Sequence, residues 1–147
     1  MIYGLTEEVS GSDVFTIVTN MRELEYEYAS GRFGGFYGVA AAIQRSIRDS
    51  QKTWCFYTES GHIVAIAGVV GQNFWLQTTK DTDRYPKTVI RLARKIIKSL
   101  PEGQYYSIFP ESNKRVMLLA KACGFTDITP LPDYLGTGID HVAAWRL

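Results

Sequence analysis

The chain has 147 residues, 46% of them hydrophobic and 21% charged, with a formal net charge of +1. That length suits one domain, residues 1–147, whose core needs no disulfide or metal staple. So small a charge imbalance gives no bulk attraction to nucleic acid or to an anionic membrane, and no apolar run approaches the length of a bilayer span.

The two cysteines, Cys55 and Cys123, come without a secretory leader and read as reduced thiols, not as a disulfide framework. The opening MIYGLTEEVSGSD has no basic region and no long apolar core. The expected location is therefore a cytoplasm, without export by a signal peptide.

IYGLTEEV predicts a short first strand. Ser12 or Asp13 then offers an oxygen to cap a helix on which Val14, Ile17, Val18, Met21 and Tyr28 share one face. SGRFGG breaks that helix. A second follows, with Phe36, Val39, Ala40, Ile43 and Ile47 at helical spacing. Its start, GRFGGFYGVAAA, has neither dinucleotide-binding nor P-loop spacing and no strand before it, so close packing is the expected role of its glycines. Phe33, Phe36 and Tyr37 are expected in the core, with a binding surface as the alternative.

TWCFYTES and HIVAIAGVV predict a hairpin turning at Ser60-Gly61, and FWLQTT a third strand. Pro86 is accepted in the first turn of a long helix over residues 87–100. Lys87, Arg91, Arg94, Lys95 and Lys98 form a basic stripe on it, expected to be its solvated face. YYSIF is the next strand. Asn113 then opens a short helix that ends before Gly124, a residue suited to a left-handed cap. FTDITPL and HVAAWRL are the last strands, joined by the loop PLPDYLGTGIDH, which could meet a partner. His62 and His141 have no second ligand at metal spacing, so no zinc site is expected.

The predicted order is β-α-α-β-β-β-α-β-α-β-β. The strand-helix-strand piece over residues 74–109 requires a parallel, right-handed crossover, whereas the hairpin-length connections elsewhere require antiparallel pairs. The fold class is therefore α/β: a mixed, mostly antiparallel sheet with one parallel strand pair, flanked by about four helices.

Asn113 followed after ten residues by Gly124-Phe125, placed behind YYSIF, resembles the C-terminal motif of the GNAT superfamily of acyl-CoA N-acyltransferases. The element order resembles that fold throughout, and the local likeness is best over residues 74–125. The resemblance implies that the parallel pair splays apart and holds the pantetheine of acetyl-CoA, with a helix N-terminus aimed at the pyrophosphate, where unpaired N–H groups favour anions. On that pattern Thr78, Thr79, Lys87, Thr88 and Asn113 are the candidate cofactor-binding residues. The stretch from FWLQTTKDTDRYPKTV through YYSIFPESNKRVMLLAKACGF also resembles small GNAT-like internal virion proteins of short-tailed bacteriophages.

Three features depart from the enzyme pattern. The family's glycine-rich pyrophosphate loop is replaced by TTKDTDRYPKT, which lacks glycine, carries Asp81 and Asp83, and loses an N–H at Pro86. The family's general-acid Tyr, seven residues after the Asn, is Ala120. FWLQTT brings no carboxylate to serve as base, and Glu59 is at a hairpin tip. Glu111 is the best remaining base and Ser112 the assisting group; these two are the candidate catalytic residues.

The expectation is a phage-type protein with a degenerate acyl-CoA site, located in the host-cell cytoplasm or in the virion and working through protein contacts as a virion component or as a modulator of a host protein. The alternatives are an active acetyl-CoA-dependent N-acetyltransferase with an atypical site, and an acyl-CoA sensor without turnover. Side chains such as Trp75 and Tyr106, filling or leaving open the parallel pair, would separate the first reading from the sensor.

Overall fold

The computed structural model describes residues 2–6, as backbone, and 9–146. Its elements are β1 (Ile2–Thr6), α1 (Gly11–Thr19), α2 (Glu23–Phe33), α3 (Gly35–Asp49), β2 (Lys52–Thr58), β3 (Ile63–Val70) and β4 (Asn73–Thr78), followed by α4 (Pro86–Ser99), β5 (Tyr105–Pro110), α5 (Lys114–Ala122), β6 (Phe125–Leu131) and β7 (His141–Arg146). Short 3-10 helices occupy Lys80–Arg84 and Tyr134–Gly136. The chain forms two compact units, Met1–Gly71 with Leu76–Val89, and Gln72–Trp75 with Ile90–Leu147.

In the first unit the strands run in the order β1-β2-β3-β4. β1 and β2 are antiparallel, as are β2 and β3, with Cys55 opposite Ile66. β3 reads IVAIAGVV and is buried from Ile63 to Val69, as expected of a strand covered on both faces. Phe56, Ile66, Val64, Ile17 and Val14 are the largest apolar side chains lost to solvent here.

The expected first helix is two. α1 starts at Gly11 with Ser10 as its cap: Ser10 Oγ accepts from the Asp13 amide, and Asp13 returns the bond to the Ser10 amide. The cap therefore lies two residues before Ser12, and Asp13 is its reciprocal partner. The helix then stops at Thr19. Asn20 gives its carbonyl to the Lys80 amide, and Arg22 turns extended (φ −63°, ψ 144°) to cap α2. A continuous helix would need that carbonyl for itself. This break raises the helix count from the expected four to five.

In the second unit the order is β4-β5-β7-β6. β4 and β5 are parallel, with Asn73 opposite Tyr106, and the Tyr106 amide donates to the Gln72 carbonyl at 2.9 Å. β5 with β7 and β6 with β7 are antiparallel. Phe74 and Phe125 stack with ring centroids 6.0 Å apart and are both buried, joined by Ala93, Ile96 and Ala144. The sheet is thus mixed and mostly antiparallel with one parallel pair, as its connections require.

Candidate functional site

The β4–α4 connection lies within the first unit. Four of its backbone donors are bonded within the protein. The amides of Thr79, Lys80, Thr82 and Tyr85 donate to the carbonyls of Val64, Asn20, Thr79 and Thr82, at 2.9–3.1 Å. The segment closes into a 3-10 turn in which the Thr82 and Tyr85 amides make i to i+3 bonds. Pro86 opens α4 and contributes no donor.

The side chains are similarly engaged. Thr79 is fully buried and its hydroxyl donates to the Val64 carbonyl at 2.8 Å. Thr78 is buried and accepts from Arg22 Nη1 at 2.7 Å. Thr82 donates to the Thr79 carbonyl and accepts from Arg22 Nη2 at 3.0 Å. Asp81 faces His62 at 3.1 Å. Lys87 is exposed and Thr88 half-buried in the first turn of α4.

Arg22 is the residue that sequence reasoning missed. Its guanidinium binds Asp83 and Glu25 as well as the two threonine hydroxyls. Burial by itself would lower its pKa, but the hydrogen bonds to Asp83 and Glu25 together with the charges of both carboxylates outweigh it and the pKa is raised. Asp83 is thereby answered from within the protein. Nothing in the spacing of Arg22 and Asp83, 61 positions apart, signals the pairing. The nearest sequence signal is the isolated arginine in a chain segment otherwise rich in acids.

Glu111, Ser112 and Asn113 belong to the second unit. Asn113 caps α5, its Oδ1 accepting from the Val116 amide at 3.2 Å, as expected of an asparagine at that place. Glu111 and Ser112 are exposed. The Glu111 amide donates to the Asp140 carbonyl at 3.0 Å, which ties this corner to the loop before β7. Ala120 is buried on α5, and Gly124 takes the left-handed conformation at φ 95°. Tyr106 packs on Trp145 at 4.8 Å between centroids.

Phe33, Phe36 and Tyr37 depart from the expected core packing. Phe33 is 38% and Tyr37 78% exposed, while Phe36 is half-buried and stacks on Phe15 at 5.8 Å. The positive φ of Gly34 and Gly35 turns α2 into α3 and carries these rings to the surface. Both thiols are buried, as the sequence suggests. Burial and the charge of Asp13 push Cys55 up to about 12. Burial pushes Cys123 up to about 11 against the opposing pull of Arg94.

The fold these elements make is that of the GNAT acetyltransferases. No protein-family profile matches the sequence, and no curated protein matches it. Solved structures do. A spermidine N-acetyltransferase SpeG chimera of Vibrio cholerae and hSSAT is similar with a TM-score of 0.70 at 14% identity, over 98% of this chain and 94% of that one. Apo-form YjaB from Escherichia coli has a TM-score of 0.70 at 15% identity, over 99% of both chains. A SpeG point mutant from Vibrio cholerae has a TM-score of 0.63 at 12% identity, over 99% of this chain and 95% of that one.

An acetyl-CoA site on this fold asks for amides free to meet a pyrophosphate. In this connection the amides of Thr79, Lys80, Thr82 and Tyr85 and the hydroxyls of Thr78, Thr79 and Thr82 have partners inside the protein. Lys80, Arg84 and Lys87 are exposed and Thr88 is half-buried along it.

Proposed function

We propose that this chain is a GNAT-fold protein with a degenerate acyl-CoA site that acts through protein contacts, as a phage-type virion component or a modulator of a host protein. The observation that supports it is the closed β4–α4 turn, held shut by Arg22 through Asp83, Thr78 and Thr82. The four amides of this turn that are bonded within the protein are withdrawn from a pyrophosphate. Ala120 cannot supply a proton to a leaving thiolate, and each missing acid or base costs about 10²–10⁴-fold in rate. The test is thermal unfolding with millimolar acetyl-CoA, with CoA and ATP as controls. The reading expects no shift. A ligand at 100 times its dissociation constant stabilises by about 2.7 kcal/mol, so a clear rise with acetyl-CoA and not with ATP would overturn it.

The second reading, an active acetyl-CoA-dependent N-acetyltransferase, draws on the full-length likeness to spermidine N-acetyltransferase structures and on the Asn113 cap. In it Thr78, Thr79, Lys87, Thr88 and Asn113 hold acyl-CoA, Glu111 takes the amine proton and Ser112 assists. It expects acetyl-CoA turnover with an amine acceptor, lowered about 10²-fold or more in Glu111→Gln. Turnover that is indifferent to that substitution would remove Glu111 from the site.

A further inference from the structure

A second concave feature lies in the second unit, where the end of α4, the cap of α5 and the end of β7 meet. It is a recess of about 300 Å³ lined by Arg94, Ile97, Lys98, Cys123, Gly124 and Arg146. Three of these six residues are cations and none is an acid. Arg94 and Lys98 are four residues apart and so emerge on the same side of α4. Arg146 arrives from a different element. It is the last paired residue of β7, opposite Tyr105 on one side and Phe125 on the other, so its backbone is fixed in the sheet.

The cations converge on a small floor. Gly124 lies beneath the Arg146 side chain: a methyl group on Gly124 would come within 3.6 Å of Nε and 3.8 Å of Cγ. The Arg94 charge is felt by the buried Cys123 thiol. Among the described residues, the Arg94, Lys98 and Arg146 side chains have no hydrogen bond or ion pair with another residue. Three like charges brought together repel one another, a cost that an anion between them would relieve. The chain as a whole has a net charge of only +1, so this concentration is local.

We propose that this recess binds a small phosphate-bearing anion. The paired arginines supply planar forks suited to phosphate oxygens, and Lys98 adds a mobile point charge. Ile97, Cys123 and Gly124 offer an apolar floor for the organic part of a mononucleotide or sugar phosphate. The size of the recess favours a single such group over a polynucleotide, which would need an extended basic track. The site is independent of the acyl-CoA reading, because the β4–α4 turn contributes nothing to it.

The test is an amide chemical-shift titration of the full chain with AMP and with inorganic pyrophosphate, at constant ionic strength, with sodium chloride as control. Shifts are expected at Cys123, Gly124 and Arg146, saturating with a dissociation constant of about 1 mM or below. The double variant Arg94→Gln/Lys98→Gln, whose side chains are exposed and should not affect folding, is expected to weaken binding about tenfold or more. Arg146→Gln is expected to act in the same direction. No saturable shift at these amides, shifts reproduced by sodium chloride, or affinity unchanged in the double variant would each overturn the proposal. Tighter binding of a single-stranded oligonucleotide than of AMP, with shifts spreading along α4, would overturn it in favour of a nucleic-acid surface.

Discussion

At the residue scale, Arg22 decides the character of the β4–α4 turn. Its guanidinium joins Glu25, Asp83, Thr78 and Thr82, and its side chain is only 15% exposed. Removing it takes one cation from Asp83 and Glu25 and a donor from the hydroxyls of Thr78 and Thr82. Arg22→Ala is expected to cost about 2–3 kcal/mol in urea unfolding, the range for hydrogen bonds to charged groups. Arg22→Lys keeps the charge but loses the fork that reaches several acceptors together, so about half of that loss is expected to remain. If both variants are as stable as the parent, the turn is held by its own backbone bonds, and Arg22 is a bystander.

Several residue assignments were legible beforehand because their chemistry is local. Asn113 as a helix cap, Gly124 in the left-handed region and Pro86 at a first helical turn each follow from their immediate neighbours. The Arg22 hub was not legible, because apart from Glu25 its partners, Thr78, Thr82 and Asp83, lie 56, 60 and 61 positions away. The same reason hid the commitment of Thr79 to Val64, a partner 15 positions away.

At the scale of elements, two glycines on either side of the α2–α3 joint make a paired prediction. Gly38 lies in α3, where a methyl group would run into the Phe33 carbonyl at the end of α2. Gly31 lies in α2 with nothing within 4 Å of such a methyl group. Gly38→Ala must push the joint open and is expected to cost about 2 kcal/mol or more. Gly31→Ala is expected to stabilise by about 0.5–1 kcal/mol, because alanine favours the helix and restricts the unfolded chain. Thermal unfolding of the two variants side by side checks the contrast. Equal effects would show that the joint yields to a methyl group.

The caps are a further element-level check. Asn113→Ala removes the bond to the Val116 amide, and Ser10→Ala dismantles the reciprocal pair with Asp13. Each is expected to cost about 1 kcal/mol in urea unfolding. Secondary structure was largely readable here: the predicted order contains every strand and α-helix except that α1 and α2 were read as one, and it lacks the two 3-10 turns. The α1–α2 break has a tertiary cause. Periodicity continues across residues 20–22, and only the Lys80 amide bonding the Asn20 carbonyl, a tertiary event, interrupts it.

At the scale of the whole molecule, the parallel pair could be inferred from chain connectivity alone, and with it the fold class. The exposed aromatic rings could not be. Phe33 and Tyr37 were expected in the core, and the Gly34-Gly35 turn, at positive φ, carries them to the surface.

The two buried thiols give a global prediction, because Cys55 belongs to one compact unit and Cys123 to the other. Folding raises them to about 12 and about 11, from an ordinary value of 9.0. The native state therefore favours the protonated thiol more than the unfolded state does. A group shifted in that direction contributes stability that is fully present below pH 9 and is lost as pH rises through its native value. Urea unfolding is expected to show a flat contribution from these groups up to pH 9 and a decline from there to about pH 12, reduced in Cys55→Ala and Cys123→Ala relative to their own stability at pH 8. The same burial keeps the thiolate population small at pH 8, so alkylation by iodoacetamide in native buffer should be slow at both positions and rapid in urea. Mass mapping of the labelled cysteine then reports the opening of each unit by its own residue. Fast native labelling of Cys123 alone would mean that the recess beneath Arg94 and Arg146 opens without unfolding; fast labelling of both would contradict the packing described for the two cores.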